Sequence, residues 1–263
     1  MKTCLNWGKA VENKYCSACG QRSDTGRLSW KNLWEEIVRG LLQLDRGFFY
    51  TAFELFLRPG RTIRQYLHGK RVQHFKPFAL LFLTSTIYGL LVHFLELSTF
   101  LGDITEGFME GATDGESDGE STQQLGNTLL WLRDHYAWAT VILLPVLVFT
   151  SRFAFGKSEY SILEHSVINA YYTGLKSSVY ILLLPLAWWM NKNGLMDYYQ
   201  LSILGLTALL FGRTYFLVFN MYSIPIRILR MLYAFVLYLF GLIILSIAIA
   251  FVGGLLMGML LRS

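Results

Sequence analysis

The sequence predicts an all-α integral membrane protein: about five transmembrane helices, preceded by a cytoplasmic ribbon-like knuckle and an amphipathic interfacial helix. Three observations carry that expectation: the composition, the lengths of the apolar runs and the distribution of charge. Hydrophobic residues make up 54% of the 263-residue chain, charged residues 16%, and the mean hydropathy is +0.40. A water-soluble domain carries about 25% charge, so this chain has too little to dress a surface facing water. Its apolar residues gather in runs near the ~20 needed to cross a ~30 Å hydrocarbon core as a helix. The runs are apolar all round, whereas barrel strands alternate, so helices fit and a closed barrel does not.

The first segment, residues 1–28, holds all three cysteines, in CLNWG at 4–8 and CSACG at 16–20. Each has the form of one metal knuckle, C-x2-C-G, whose glycine permits a tight turn. Tetrahedral zinc takes four ligands, but Trp7 stands where the first knuckle needs its second cysteine. Cys4, Cys16 and Cys19 are therefore the candidate ligands and zinc the candidate cofactor, with Glu12 or Asp24 as a makeshift fourth ligand. A three-thiolate site and a metal-free small fold both stay open. A reducing cytoplasm disfavours a disulfide.

Residues 29–76 read as an amphipathic helix and a basic linker. From Ser29, a helix-capping residue, apolar residues return with helical period through Trp30, Leu33, Ile37, Leu41, Phe48 and Ala52. Lys31, Glu35, Arg39 and Gln43 take the opposite face. Such a helix lies in the membrane interface or packs on the bundle; Gly40 and Gly47 allow it to divide in two. Residues 57–78 then place Arg58, Arg61, Arg64, Lys70, Arg71 and Lys76, with His68 and His74, beside the first span without one acid. Pro59-Gly60 is a turn signal. A short helix is expected after it, with Arg61, Arg64 and His68 on one face, stopped by Gly69.

The transmembrane region, 77–263, offers spans at about 77–97, 136–155, 167–190, 198–220 and from 228 onward. The last exceeds one crossing; tilt or an end at Gly253-Gly254 would absorb the excess, and no polar turn divides it. Pro145 and Pro185 fall inside the second and third spans. Residues 1–76 carry 14 Lys and Arg against 6 Asp and Glu, whereas 98–135 carry Arg133 against 8 acids. Cations stay on the cytoplasmic side, which puts the N-terminus inside and the acidic loop 98–135 outside. Arg152, Lys157, Arg227 and Arg230 fall in the internal loops, and five spans leave the C-terminus external. No apolar core precedes Cys16, so no cleavable signal is expected. The expected location is an inner (cytoplasmic) membrane. The cations' placement beside a span, more than the net charge of +5, argues for lipid and against nucleic acid.

Inside the membrane, Lys176 and Arg213 are costly and stand as functional candidates. Both can reach one inward-facing cavity, with Asn169, Tyr171, Tyr172 and Tyr215 as hydrogen-bonding neighbours, forming an anion pocket. Alternatively they fix packing, with Glu164 pairing with Lys157, Lys176 or Arg213. Glu164-His165, opening the third span, pairs a carboxylate with an imidazole, although adjacent helical residues point apart. No G-x-S-x-G, P-loop or H-E-x-x-H motif is present, so enzyme is the least favoured class. The loop ITEGFMEGATDGESDGESTQQLGN has the composition of a solvated segment.

The knuckles CLNWG and YCSACGQ, the stretch FFYTAFELFLRPGRTIRQYLHGKRVQHFKPF and YSILEHSVINAYY resemble domain-of-unknown-function family 3667, a set of bacterial membrane proteins. The R-P-G…Y-L-x-G-K-R block at 58–71 is the most specific part. The resemblance implies a ribbon head, a basic linker and several membrane helices, and no activity; Trp7 departs from it. Two functional readings follow. One is a membrane-anchored adaptor or regulatory protein, binding a protein partner or anionic lipid headgroups at the cytoplasmic face through Arg58, Arg61, Arg64, Lys70 and Arg71. The other is a transporter or lipid-handling protein built around Lys176 and Arg213, with Glu164 and His165 nearby.

Overall fold

The computed structural model describes residues 2–11, 14–21, 23, 47–97, 135–156 and 158–260. The helix expected from Ser29 to residue 46 and the acidic loop up to residue 134 lie outside the described residues, as do Glu12, Asp24 and Lys157. Among the described residues there are seven helices and a two-stranded hairpin. The hairpin pairs β1 (Lys2–Thr3) with β2 (Ala10–Val11), antiparallel, with Lys2 opposite Val11.

The helices are α1 (Gly47–Leu57), α2 (Pro59–Leu67), α3 (Pro77–Phe94), α4 (Tyr136–Ala154), α5 (Ile162–Lys192), α6 (Met196–Val218) and α7 (Ile224–Leu260). Their starts follow local rules. Pro59 and Pro77 open α2 and α3, where a missing N–H costs nothing and φ is preset. Pro59-Gly60 is thus the first turn of a helix rather than a turn before one. Gly69, at φ 94°, closes the α2 segment as expected. Ser161 and Glu164 form a capping box at the start of α5.

Among the described residues, four helices are long and apolar enough to cross a membrane: α3, α4, α6 and residues Ile224–Leu242 of α7. The region expected as a third span belongs to α5, which is not among them. Its polar residues, Asn169, Thr173, Lys176, Ser177 and Ser178 among them, lower its hydropathy. Helix α5 is instead the axis of the bundle, packed on α3, α4 and α6, with buried residues distributed from Leu163 to Ala187. Small residues permit the approach, as in membrane bundles. A Cβ on Gly174 would lie 2.9 Å from Leu80 Cγ, and the Ser85 and Ser177 hydroxyls are 3.2 Å apart. Helices α4 and α5 continue through Pro145 and Pro185. Helix α7 runs 37 residues without a turn, through Gly253-Gly254; at 1.5 Å per residue it spans about 55 Å.

The outer surface is apolar. Phe149, Phe153, Leu182, Leu201, Leu209, Leu229, Val236 and Phe240 are all exposed. Water would penalise so continuous a surface, whereas lipid solvates it. The two ends differ. Where α5 meets α6, and α3 meets α4, exposed Trp138, Trp188, Trp189 and Tyr198 surround a core of Tyr88, Tyr180, Leu184 and Tyr199. The opposite end collects Arg152, Arg213, Arg227 and Arg230 with helices α1 and α2.

Candidate functional site: a basic cleft beside a cysteine cluster

Helices α1 and α2 are fastened to the end of α6 by two arginines working in opposite directions. Arg213 of α6 donates to the carbonyl oxygens of Phe56 and Leu57, the latter at 2.6 Å. These are C-terminal carbonyls of α1, which have no partner within their helix. Arg64 of α2 donates in turn to the carbonyl of Leu217, in the last turn of α6. The linker after α2 is pinned as well. Thr51 Oγ1 accepts from Phe75 N at 2.7 Å, and Tyr171 OH donates to Phe75 O at 2.7 Å. Pinning Phe75 draws His74 inward, where it is 6% exposed and 5.9 Å from the Tyr50 ring.

These constraints leave a cleft of about 240 Å³ whose lining includes Arg58, Arg61, Lys70, His74, Glu54 and Tyr50. Among the described residues, its lining holds three permanent cations and one carboxylate. His74 Nδ1 is buried and finds no hydrogen-bond partner among the described residues. Burial lowers the His74 pKa from its ordinary value, and Glu54 opposes that shift. Of the other expected basic residues, Arg71 lies 5.5 Å from the Tyr66 ring. The exposed side of α1 carries Phe49, Phe53 and Phe56, the first two at 82% and 63% exposure.

The N-terminal segment closes one side. Its two cysteine turns have the same backbone pattern. Gly8 N donates to Cys4 O at 2.7 Å and Gly20 N to Cys16 O at 2.8 Å, with φ of 71° and 70° at the glycines. This brings the sulfurs of Cys4, Cys16 and Cys19 within 4.8 Å of one another, those of Cys4 and Cys19 being 3.6 Å apart. Cys4 and Cys16 are buried, while Trp7 is exposed. The Cys16 thiol is pulled below its ordinary range, chiefly by the Ala18 N–H, and burial pushes Cys19 up. Three soft donors at this spacing fit a thiophilic ion such as Zn²⁺. The segment touches the cleft through Asn6, which lines it, and through Gln21 Nε2, which donates to Gly69 O at 2.8 Å.

The other sequence candidates have different surroundings. Lys176 Nζ lies 5.9 Å from the Tyr180 ring, whereas the Arg213 guanidinium is held by the α1 carbonyls. Glu164 accepts from Ser161 N at 2.7 Å in the capping box. His165 belongs to a buried polar network that sequence reasoning missed. Its Nδ1 is 3.0 Å from Ser151 Oγ and its Nε2 3.3 Å from Ser158 Oγ. Asn169 Nδ2 donates to Ser151 Oγ at 2.9 Å, and Tyr215 OH donates to Asn169 Oδ1. Every polar group named there has a partner, so the network holds α4, α5 and α6 together. Glu54, Gln21 and the buried state of His74 were also missed. The lack of acids across 57–78 was the available signal, since it leaves Glu54, one helix earlier, as the nearest counter-charge.

The basic cleft and most of its walls fall in one stretch of chain, and that stretch has relatives. Residues 45–89 match the family described as Protein of unknown function (DUF3667). The DUF3667 match spans α1, α2, the pinned linker and the first two-thirds of α3, and it includes the R-P-G…Y-L-x-G-K-R block. No curated protein and no solved structure matches the chain.

Proposed function

We propose that this protein is a multi-pass inner-membrane adaptor or regulatory protein whose basic end lies at the cytoplasmic face and engages anionic lipid headgroups. The carrying observation is the adjacency of two surfaces. The exposed Phe49, Phe53 and Phe56 of α1 run directly into Arg58, Arg61 and Lys70. Aromatic side chains enter the acyl boundary, and each cation near an anionic leaflet contributes about 1 kcal/mol. In this reading Arg152, Arg227 and Arg230 retain the same end inside the cell. Helix α5 makes the fifth crossing within its buried axis, and loop 98–135 is external. The cysteine cluster binds zinc and shapes the head on which a protein partner docks.

Hydrogen exchange on the full-length chain in lipid nanodiscs tests the lipid reading. Amides of α1 should exchange more slowly in nanodiscs containing phosphatidylglycerol than in pure phosphatidylcholine, and Phe49→Ser with Phe53→Ser should remove the difference. Equal exchange in the two lipids would overturn it.

A further inference from the structure

The cleft is more selective than a charged surface needs to be. A surface that only attracts a leaflet has no need of a buried polar group. Here Arg58, Arg61 and Lys70 converge on a volume of about 240 Å³, room for a phosphate and several waters. His74, more than nine-tenths buried, lines the same volume with Nδ1 unpartnered among the described residues. An orphaned buried nitrogen is costly unless something satisfies it. We propose that this cleft is a binding site for a phosphomonoester group, presented by a lipid such as phosphatidate or as free phosphate. The proposal rests on the lipid-facing reading above and names its ligand class.

Charge selects the monoester over the diester. A phosphomonoester carries about −1.5 to −2 at neutral pH, against −1 for the diester of phosphatidylglycerol. Among the described residues, three cations opposed by Glu54 alone leave a surplus that a dianion matches and a monoanion does not. The monoester also offers three terminal oxygens, one each for Arg58, Arg61 and Lys70, in charge-assisted hydrogen bonds. The neutral Nδ1–H tautomer of His74 would give that nitrogen its missing acceptor on the same group. Gln65 and Gln73, also on the wall, can donate from neutral amides.

The test uses the full chain in phosphatidylcholine nanodiscs doped with phosphatidate or, separately, with phosphatidylglycerol, and reads retained lipid by native mass spectrometry. A parallel arm measures the thermal shift produced by inorganic phosphate. The variant Arg61→Gln/Lys70→Gln changes two exposed side chains, and Lys9→Gln/Lys14→Gln removes the same charge outside the cleft. Preferential retention of phosphatidate, reduced more than about tenfold by the cleft variant and unchanged in the control, supports the site with a lipid source. A saturable phosphate shift with the same mutational pattern, without phosphatidate preference, supports it with a soluble source. Equal retention of both lipids without a phosphate shift overturns the cleft proposal, whatever α1 exchange shows about the surface. An equal loss in both variants also overturns it, since bulk charge would then suffice.

Discussion

A Cβ placed on Gly60 would stand 2.5 Å from both the Cβ and the carbonyl oxygen of Leu217. Helix α2 therefore meets the last turn of α6 backbone to backbone, and Arg64, one turn on, donates to the same carbonyl. The glycine in the R-P-G block is there for this approach rather than for a turn. Gly60→Ala gains up to about 1 kcal/mol of helix propensity. It also forces apart atoms that include rigid backbone, which costs about 1–3 kcal/mol. The expected result is net destabilisation, seen as a lower Tm of the detergent-solubilised chain. Gly205→Ala, with open space around it, should leave Tm unchanged or raise it.

Arg213→Leu removes the donor to two α1 carbonyls. Hydrogen bonds from a charged donor contribute about 1.5–3 kcal/mol, and partial exposure of this guanidinium places the loss toward the lower end. Because Arg213 fastens α1 to α6, the loss should appear locally. Amide exchange in α1 should accelerate, while the exchange of α5 amides stays as in the wild type. Arg213→Lys, which cannot reach both carbonyls as a planar fork, should fall between.

Acid should weaken the fold through His74. Its pKa in the folded chain lies below the ordinary value, chiefly from burial and against the pull of Glu54. Arg58, Arg61 and Lys70, which line the same cleft, also disfavour a further positive charge. Below about pH 6.5 the unfolded chain takes up a proton that the folded chain refuses, so stability falls as pH falls. Above that pH both forms are neutral and the effect vanishes. Tm measured downward from neutral pH should drop more steeply in the wild type than in His74→Asn.

The head should respond to completion of its ligand set. The turn at Cys4 repeats the turn at Cys16 hydrogen bond for hydrogen bond, so residue 7 occupies the place that Cys19 holds in the second turn. Trp7→Cys should raise zinc affinity by about tenfold or more, as a fourth thiolate closes the tetrahedron. Cys4→Ser should lower it. Competition with a chromophoric chelator measures both.

Local pattern made part of the molecule legible in its amino-acid sequence. The knuckles at 4–8 and 16–20, the helical apolar runs at 77–97, 136–155 and 198–220, and the stop at Gly69 each depend on residues close together in the chain. The features that stayed hidden depend on contacts between residues far apart in it. Gly60 reads as a turn until Leu217 is seen packed against it. Arg213 reads as a misplaced intramembrane charge until the α1 carbonyls appear. His165 reads as half of a chemical pair with Glu164, yet the two side chains serve a buried network and a helix cap. Helix α5 reads as an ordinary span, although its polar residues suit a bundle axis better than a lipid-facing helix.

A chain threaded through lipid as proposed holds its basic end and its acidic loop on opposite sides of the bilayer. Labelling of single cysteines by a membrane-impermeant maleimide in intact cells, in a background lacking the native cysteines, reads that arrangement most directly. A cysteine at Asp118 should label from outside, and one at exposed Lys9 should label only after the cells are opened. Labelling of both positions from the same side would contradict the threading.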